Sequence, residues 1–150
     1  SSAASVITTI KSIIEKIIAA EPHHQREELV LFPAIEEKGV FGPPRIMRME
    51  HEQLRKTKHT IHDLVSTSFT DNFCTLKQTL DLAINSLVTS LSQHIQKENE
   101  ILYPMALRVI TDEREWNEMK AACDKIGYCC FDPNKTKEES EHSCCCSHNE

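Results

Sequence analysis

The chain has 150 residues, with 23 Asp and Glu against 17 Lys and Arg and a net charge of −6; this acidic balance excludes the dense cationic face that a nucleic-acid backbone requires. No stretch approaches a membrane-spanning run, and Ser1 to Ala20 is broken by Lys11, Glu15 and Lys16, so it is neither a transmembrane helix nor the apolar segment of a signal peptide. The seven cysteines are odd in number, and Cys144, Cys145 and Cys146 are consecutive, a poor disulfide framework that fits a reducing, cytoplasmic setting.

With three glycines and few alternating runs, the chain reads as all-α, long enough for one core. From Val6 to Lys38 the apolar positions Ile7, Ile10, Ile14, Ile17, Ile18, Leu31 and Ile35 keep a helical period. Pro22 is expected to split or kink this run, because it lacks a backbone donor and disfavours helix at Glu21. Gly39 suits a C-terminal cap, and GVFGPP reads as a loop. A second helix is expected from near Pro44 to about Val65, with an inward stripe of Met47, His51, Leu54, Ile61 and Val65. SFTDNF is the next break.

The longest pattern runs Phe73, Leu76, Leu80, Ile84, Leu87, Leu91, His94, Glu98, Leu102, Met105, Val109. His94 and Glu98 occupy slots where the apolar stripe should continue, so they are expected to point into the core. An Asp112 to Glu115 capping box then opens a last helix with the stripe Trp116, Met119, Cys123 and Ile126, closed by Gly127. Trp116 and Tyr103 read as core packing. The folded domain is expected over 1–131. Asp132 to Glu150 reads as a disordered tail, in which His142, Cys144, Cys145, Cys146 and His148 are soft-metal donors without a familiar zinc spacing.

One sentence is written twice. HHQREELVLFP, from His23, and HIQKENEILYP, from His94, align His23 with His94, Gln25 with Gln96, Glu27 with Glu98, Phe32 with Tyr103 and Pro33 with Pro104. His and Glu four residues apart share a helix face. Two carboxylates carried into a helical core need positive compensation, and a metal supplies it best, since it accepts neutral imidazole and anionic oxygen together. His51, on the inward stripe of the middle helix, is the expected third histidine. His62 lies about 16 Å further along that helix and His59 is turned away, so both read as peripheral. His24 and Glu28, with the same spacing, are the alternates to His23 and Glu27.

The ordered set HHQREELVLFP, GPPRIMRMEHEQLR, HIQKENEILYPMA and EWNEMKAACDKIGYCCF resembles the hemerythrin-like HHE cation-binding domain, and within it the subfamily that precedes a PAS sensory domain. The resemblance spans about Val6 to Phe131. It implies an antiparallel four-helix bundle holding a non-heme di-iron centre, with His23, His51 and His94 as terminal ligands and Glu27 and Glu98 as bridges. The family's first helix has no counterpart upstream of Ser1, so the resemblance implies a truncated bundle with an incomplete iron complement. Arg55 stands where oxygen-carrying members have a second histidine and reads as a charge beside the ligands. EHSCCCSHNE stands where a PAS or other signalling domain is expected. The resemblance implies a sensory module for dioxygen, nitric oxide or redox state rather than an enzyme. The alternatives are iron handling of the iron-sulfur cluster repair type and a helical interaction domain without metal.

Overall fold

The computed structural model describes residues 3–67, 73–129 and 132–133. Among them every regular element is helical: α1 Ala3–Ala19, α2 Glu21–Arg26, a wide π turn Glu27–Leu31, α3 Phe32–Glu37, α4 Gly42–Ser66, α5 Phe73–Lys97, a second π turn Glu98–Leu102, α6 Tyr103–Val109 and α7 Glu113–Ile126. The cysteine-rich stretch 134–150 lies outside the described residues. No described helix is long and apolar enough to cross a membrane.

Pro22 interrupts the first run at one residue only. Ala20 leaves helical geometry, and Pro22 sits in the first turn of α2, where its missing N–H costs nothing. Gly39 takes φ +83° after α3 and donates to the Glu36 carbonyl at 2.9 Å, as a helix-ending glycine does. The middle helix begins at Gly42, two residues before the expected start, with its prolines in the first turn. Asp112 caps α7 by accepting the Arg114 N–H at 2.8 Å. Glu115 is drawn away from the expected reciprocal cap, since its carboxylate accepts from Lys38 at 2.7 Å.

The two π turns are the main feature that helical periodicity does not reveal, and both precede a proline. Pro33 and Pro104 have no N–H to donate, and in a regular helix each ring would clash with the carbonyl four residues back. The chain widens instead: Phe32 N–H reaches the Glu27 carbonyl and Tyr103 N–H reaches that of Glu98, each five residues back. At about 100° per residue, Glu27 and Phe32 would face about 140° apart on a regular helix. The wide turn brings both inside, and both are buried.

α4 packs against α1 on one side and α5 on the other. One apolar cluster joins Ile7 and Ile14 of α1, Leu54 and Ile61 of α4, and Leu80 and Leu87 of α5. A second joins Phe32 and Ile35 of α3, Met47 of α4, Leu102, Ala106 and Ile110, with Trp116 and Met119 of α7 packed against it. Each fully buried aliphatic or aromatic side chain contributes about 1.5–3 kcal/mol. Along every strut the polar residues fall between the two clusters: His24 and Glu27 between Ile14 and Phe32, His51 between Met47 and Leu54, His94 and Glu98 between Leu87 and Leu102. Among the described residues, the layer so formed holds every buried carboxylate and imidazole.

Candidate metal centre

Four buried side chains converge in that layer. His51 and His94, 0% and 1% exposed, bring their Nε2 atoms to 2.9 Å. Glu27 Oε2 lies 3.2 Å from His51 Nε2, and Glu98 Oε1 lies 3.1 Å from His94 Nε2. One ligand atom from each of the four falls within 4.8 Å of every other. His23 joins from the rim: its half-exposed ring places Nε2 3.3 Å from Glu98 Oε1 and 3.8 Å from Glu27 Oε2.

The other nitrogens fix the tautomers. Nδ1 of His51 donates to Glu28 at 2.8 Å, and Nδ1 of His94 donates to Glu50 at 2.8 Å. Burial alone would raise both acceptor carboxyls, but Arg55 and His51 hold Glu28 below its ordinary range, and Lys97 and His94 do the same for Glu50. Both acceptors are therefore anionic at neutral pH, and either ring, in its neutral form, presents a bare Nε2 lone pair to the centre. Two such lone pairs at 2.9 Å repel unless a proton or a cation lies between them. Glu27 Oε2, buried and without any hydrogen bond, makes the same demand. Burial would raise Glu98 too, yet the His23 and His94 rings beside it hold it at about 2. The donor set, two imidazoles and two carboxylates with a third imidazole at the edge, fits a non-heme iron site.

The structure thus brings His23, Glu27, His51, His94 and Glu98 to one centre. Glu28, expected as an alternate ligand, is instead the acceptor that orients His51. Arg55 sits behind it, donating to Glu28 at 2.9 Å and to Glu21 at 2.7 Å. His24 is buried and stacks on His51 with ring centroids 4.0 Å apart. It forms a second close group with His51 and His94, and its Nδ1 has no hydrogen bond. Burial, with His51 and Lys58 beside it, lowers its pKa to about 2, so it remains neutral. His59 is exposed, and His62 lies 3.6 Å from Glu15 on α1, away from the centre.

Sequence reasoning missed Glu50, Lys97 and Tyr103. Lys97 donates to Glu50, which completes a carboxylate-imidazole arm for His94 matching the one Glu28 and Arg55 supply to His51. The signal for Glu50 was its position immediately before His51. Tyr103, read as packing, also donates its hydroxyl to Glu27 Oε1 at 2.9 Å. A cleft of about 450 Å3, lined by His23, Glu27, Leu31, Tyr103, Leu107 and Trp116 among others, opens on this side of the centre.

Comparison with known proteins agrees with the donor set. The hemerythrin HHE cation binding domain matches residues 1–125. Among curated relatives, the iron-sulfur cluster repair protein YtfE of Escherichia coli O81 (strain ED1a) is 34% identical over 92 residues, covering 57% of this chain and 40% of that protein. The protein of the same name from Enterobacter sp. (strain 638) is also 34% identical over 92 residues, with the same coverage. The chain therefore spans less than half the length of these relatives. No solved structure matches. The chain belongs to the hemerythrin HHE cation-binding domain family.

Proposed function

We propose that the chain is a non-heme iron-binding domain in which His23, Glu27, His51, His94 and Glu98 hold a di-iron centre and small molecules reach it from the cleft beside Tyr103. The 2.9 Å approach of two buried imidazole nitrogens whose other nitrogens are already committed carries this reading. Glu27 and Glu98 are the two carboxylates that a pair of cations would share. Glu28 and Glu50 keep the imidazoles turned and basic, as outer carboxylates do for metal-bound histidine. Bound iron would supply redox chemistry and a binding position for dioxygen or nitric oxide.

The role that fits best is iron handling of the iron-sulfur cluster repair kind. The names of the relatives support it, and so does His23, a donor that is 41% exposed at the edge of the centre, where iron could be exchanged. A sensory role for dioxygen, nitric oxide or redox state, working through an attached PAS or signalling domain in the cytoplasm, is the second reading; the cleft that leads a small apolar gas to the centre supports it. Anaerobic titration with ferrous iron tests the shared premise. Uptake approaching two equivalents, with near-ultraviolet charge-transfer absorption on oxidation, is expected. Refusal of iron with uptake of one zinc would overturn it. Release of that iron to a cluster-deficient ferredoxin then separates handling from sensing.

A further inference from the structure

Around the two central carboxylates the halves of the internal repeat match at His23 and His94 and at Glu27 and Glu98, and differ at the aromatic position five residues on. Where the second half has Tyr103, the first has Phe32. Phe32 is fully buried, lies near-parallel to the His51 ring at 5.7 Å and has Arg48 over its face at 5.1 Å. It has no hydroxyl to offer. Tyr103 reaches across the bundle from the other strut and donates to Glu27 Oε1 at 2.9 Å. Glu98 has imidazoles instead, His23 at 3.3 Å and His94 at 3.1 Å from its Oε1. The two central carboxylates, equivalent in sequence, therefore differ in what holds them.

We infer that Tyr103 is a positioning residue that orients Glu27 through Oε1, so that the two oxygens of Glu27, and with them the two metal positions, are inequivalent. The inference rests on the iron-binding reading above. It follows from what each oxygen of Glu27 has available. Oε1 is satisfied by a phenol, and Oε2 is buried, 3.2 Å from His51 Nε2, and has no hydrogen bond. A carboxylate oxygen that already accepts a phenol hydrogen bond is held in orientation and is a weaker donor to a cation than its unbonded partner oxygen. The phenol also lines the cleft together with Glu27, so a molecule in the cleft can reach the Tyr103 and Glu27 pair. Tyr103 is thereby placed to couple occupancy of the cleft to the coordination of one metal more than of the other.

Anaerobic cobalt(II) titration, followed by the visible ligand-field bands, tests this with a metal that reports its own geometry. The unaltered chain should take up cobalt in two steps of different affinity. Tyr103→Phe, which only copies what the first half of the repeat already has at Phe32, should keep the far-ultraviolet circular dichroism of the metal-free protein. It should weaken one step about ten-fold or more, the usual cost of losing an outer hydrogen bond to a ligand, and alter the bands of that step alone. Tyr103→4-aminophenylalanine, which restores a donor at the same reach, should recover both affinity and bands. Identical titrations for the unaltered chain and Tyr103→Phe would overturn the inference while leaving the metal reading intact. A loss that the amino variant does not rescue would assign the effect to packing and overturn it as well. Failure of the unaltered chain to bind cobalt would overturn the metal reading and this inference with it.

Discussion

Nε2 of His51 and Nε2 of His94 face each other at 2.9 Å, across a layer that holds two further carboxylates and excludes water from both rings. Because Glu28 and Glu50 occupy the two Nδ1 hydrogens, the metal-free protein must spend a proton or accept repulsion there. A cation relieves this and is bound only by the folded chain, so its binding energy becomes folding energy. Ferrous iron or zinc at 100 times its dissociation constant should therefore stabilise the chain by about 2.7 kcal/mol, and a chelator should reverse the gain. His51→Ala and His94→Ala should each abolish the metal-dependent rise in melting temperature. Calorimetry with and without metal checks this, and an unchanged rise in either variant would remove that histidine from the centre.

The outer carboxylates give a graded prediction. Glu50→Gln keeps size but loses the charge that holds His94 turned and pairs with Lys97; Glu28→Gln does the same for His51 and Arg55. Each should retain metal stoichiometry while weakening affinity about 10–100-fold. Glu27→Ala and Glu98→Ala should instead lose stoichiometry. Metal content after dialysis against a weak chelator distinguishes the two classes. Equal losses in all four variants would mean that Glu28 and Glu50 coordinate directly.

How much of this was legible depended on whether the signal was local. His94 and Glu98 stood out because they replace apolar residues in a periodic stripe, and the repeat carried the same logic back to His23 and Glu27. His51 was found because it too falls on an inward stripe. Glu50 was not, because it lies about 100° round the helix from His51 and reads as solvated until α5 is packed beside it. Its partners, His94 and Lys97, are more than forty residues away. The π turns were written locally in Pro33 and Pro104, yet helical periodicity treats a wide turn as noise. The capping box at Asp112 was half right, since a distant lysine competes for Glu115.

The adjacent histidines separate by environment. His23 is half-exposed with Nε2 directed at both central carboxylates, whereas His24 is buried against the His51 ring. His23→Ala should lower metal content and leave the melting temperature of the metal-free protein within about 0.5 kcal/mol equivalent, as for an exposed truncation. His24→Ala opens a cavity beside His51 and should cost about 2 kcal/mol of metal-free stability, with metal retained. Paired measurements of bound iron and of thermal unfolding decide the assignment. Loss of metal in His24→Ala at unchanged stability would make His24 the ligand.

Lys58 is the least expected buried residue, 3% exposed on the inward face of α4 between Leu54 and Ile61. Loss of hydration lowers its pKa below the ordinary 10.5, Glu21 opposes that fall, and Arg55 adds to it. The unfolded chain then holds the lysine proton more tightly than the folded one, so between the lowered value and 10.5 the unfolded state binds more protons. Stability contributed by this position must accordingly rise with pH across that window. Lys58→Met keeps the length of the side chain and removes the charge. It should stabilise the metal-free protein by about 1 kcal/mol at pH 7, in line with exchanges of buried charge for apolar volume. The gain should shrink as pH rises toward 10.5, and only well above that value is the lysine neutral in both states. Urea unfolding of the two proteins at pH 7 and pH 10 checks the sign. A variant less stable at pH 7, or a difference that grows with pH, would show that the ammonium is stabilised by Glu21 rather than penalised by burial.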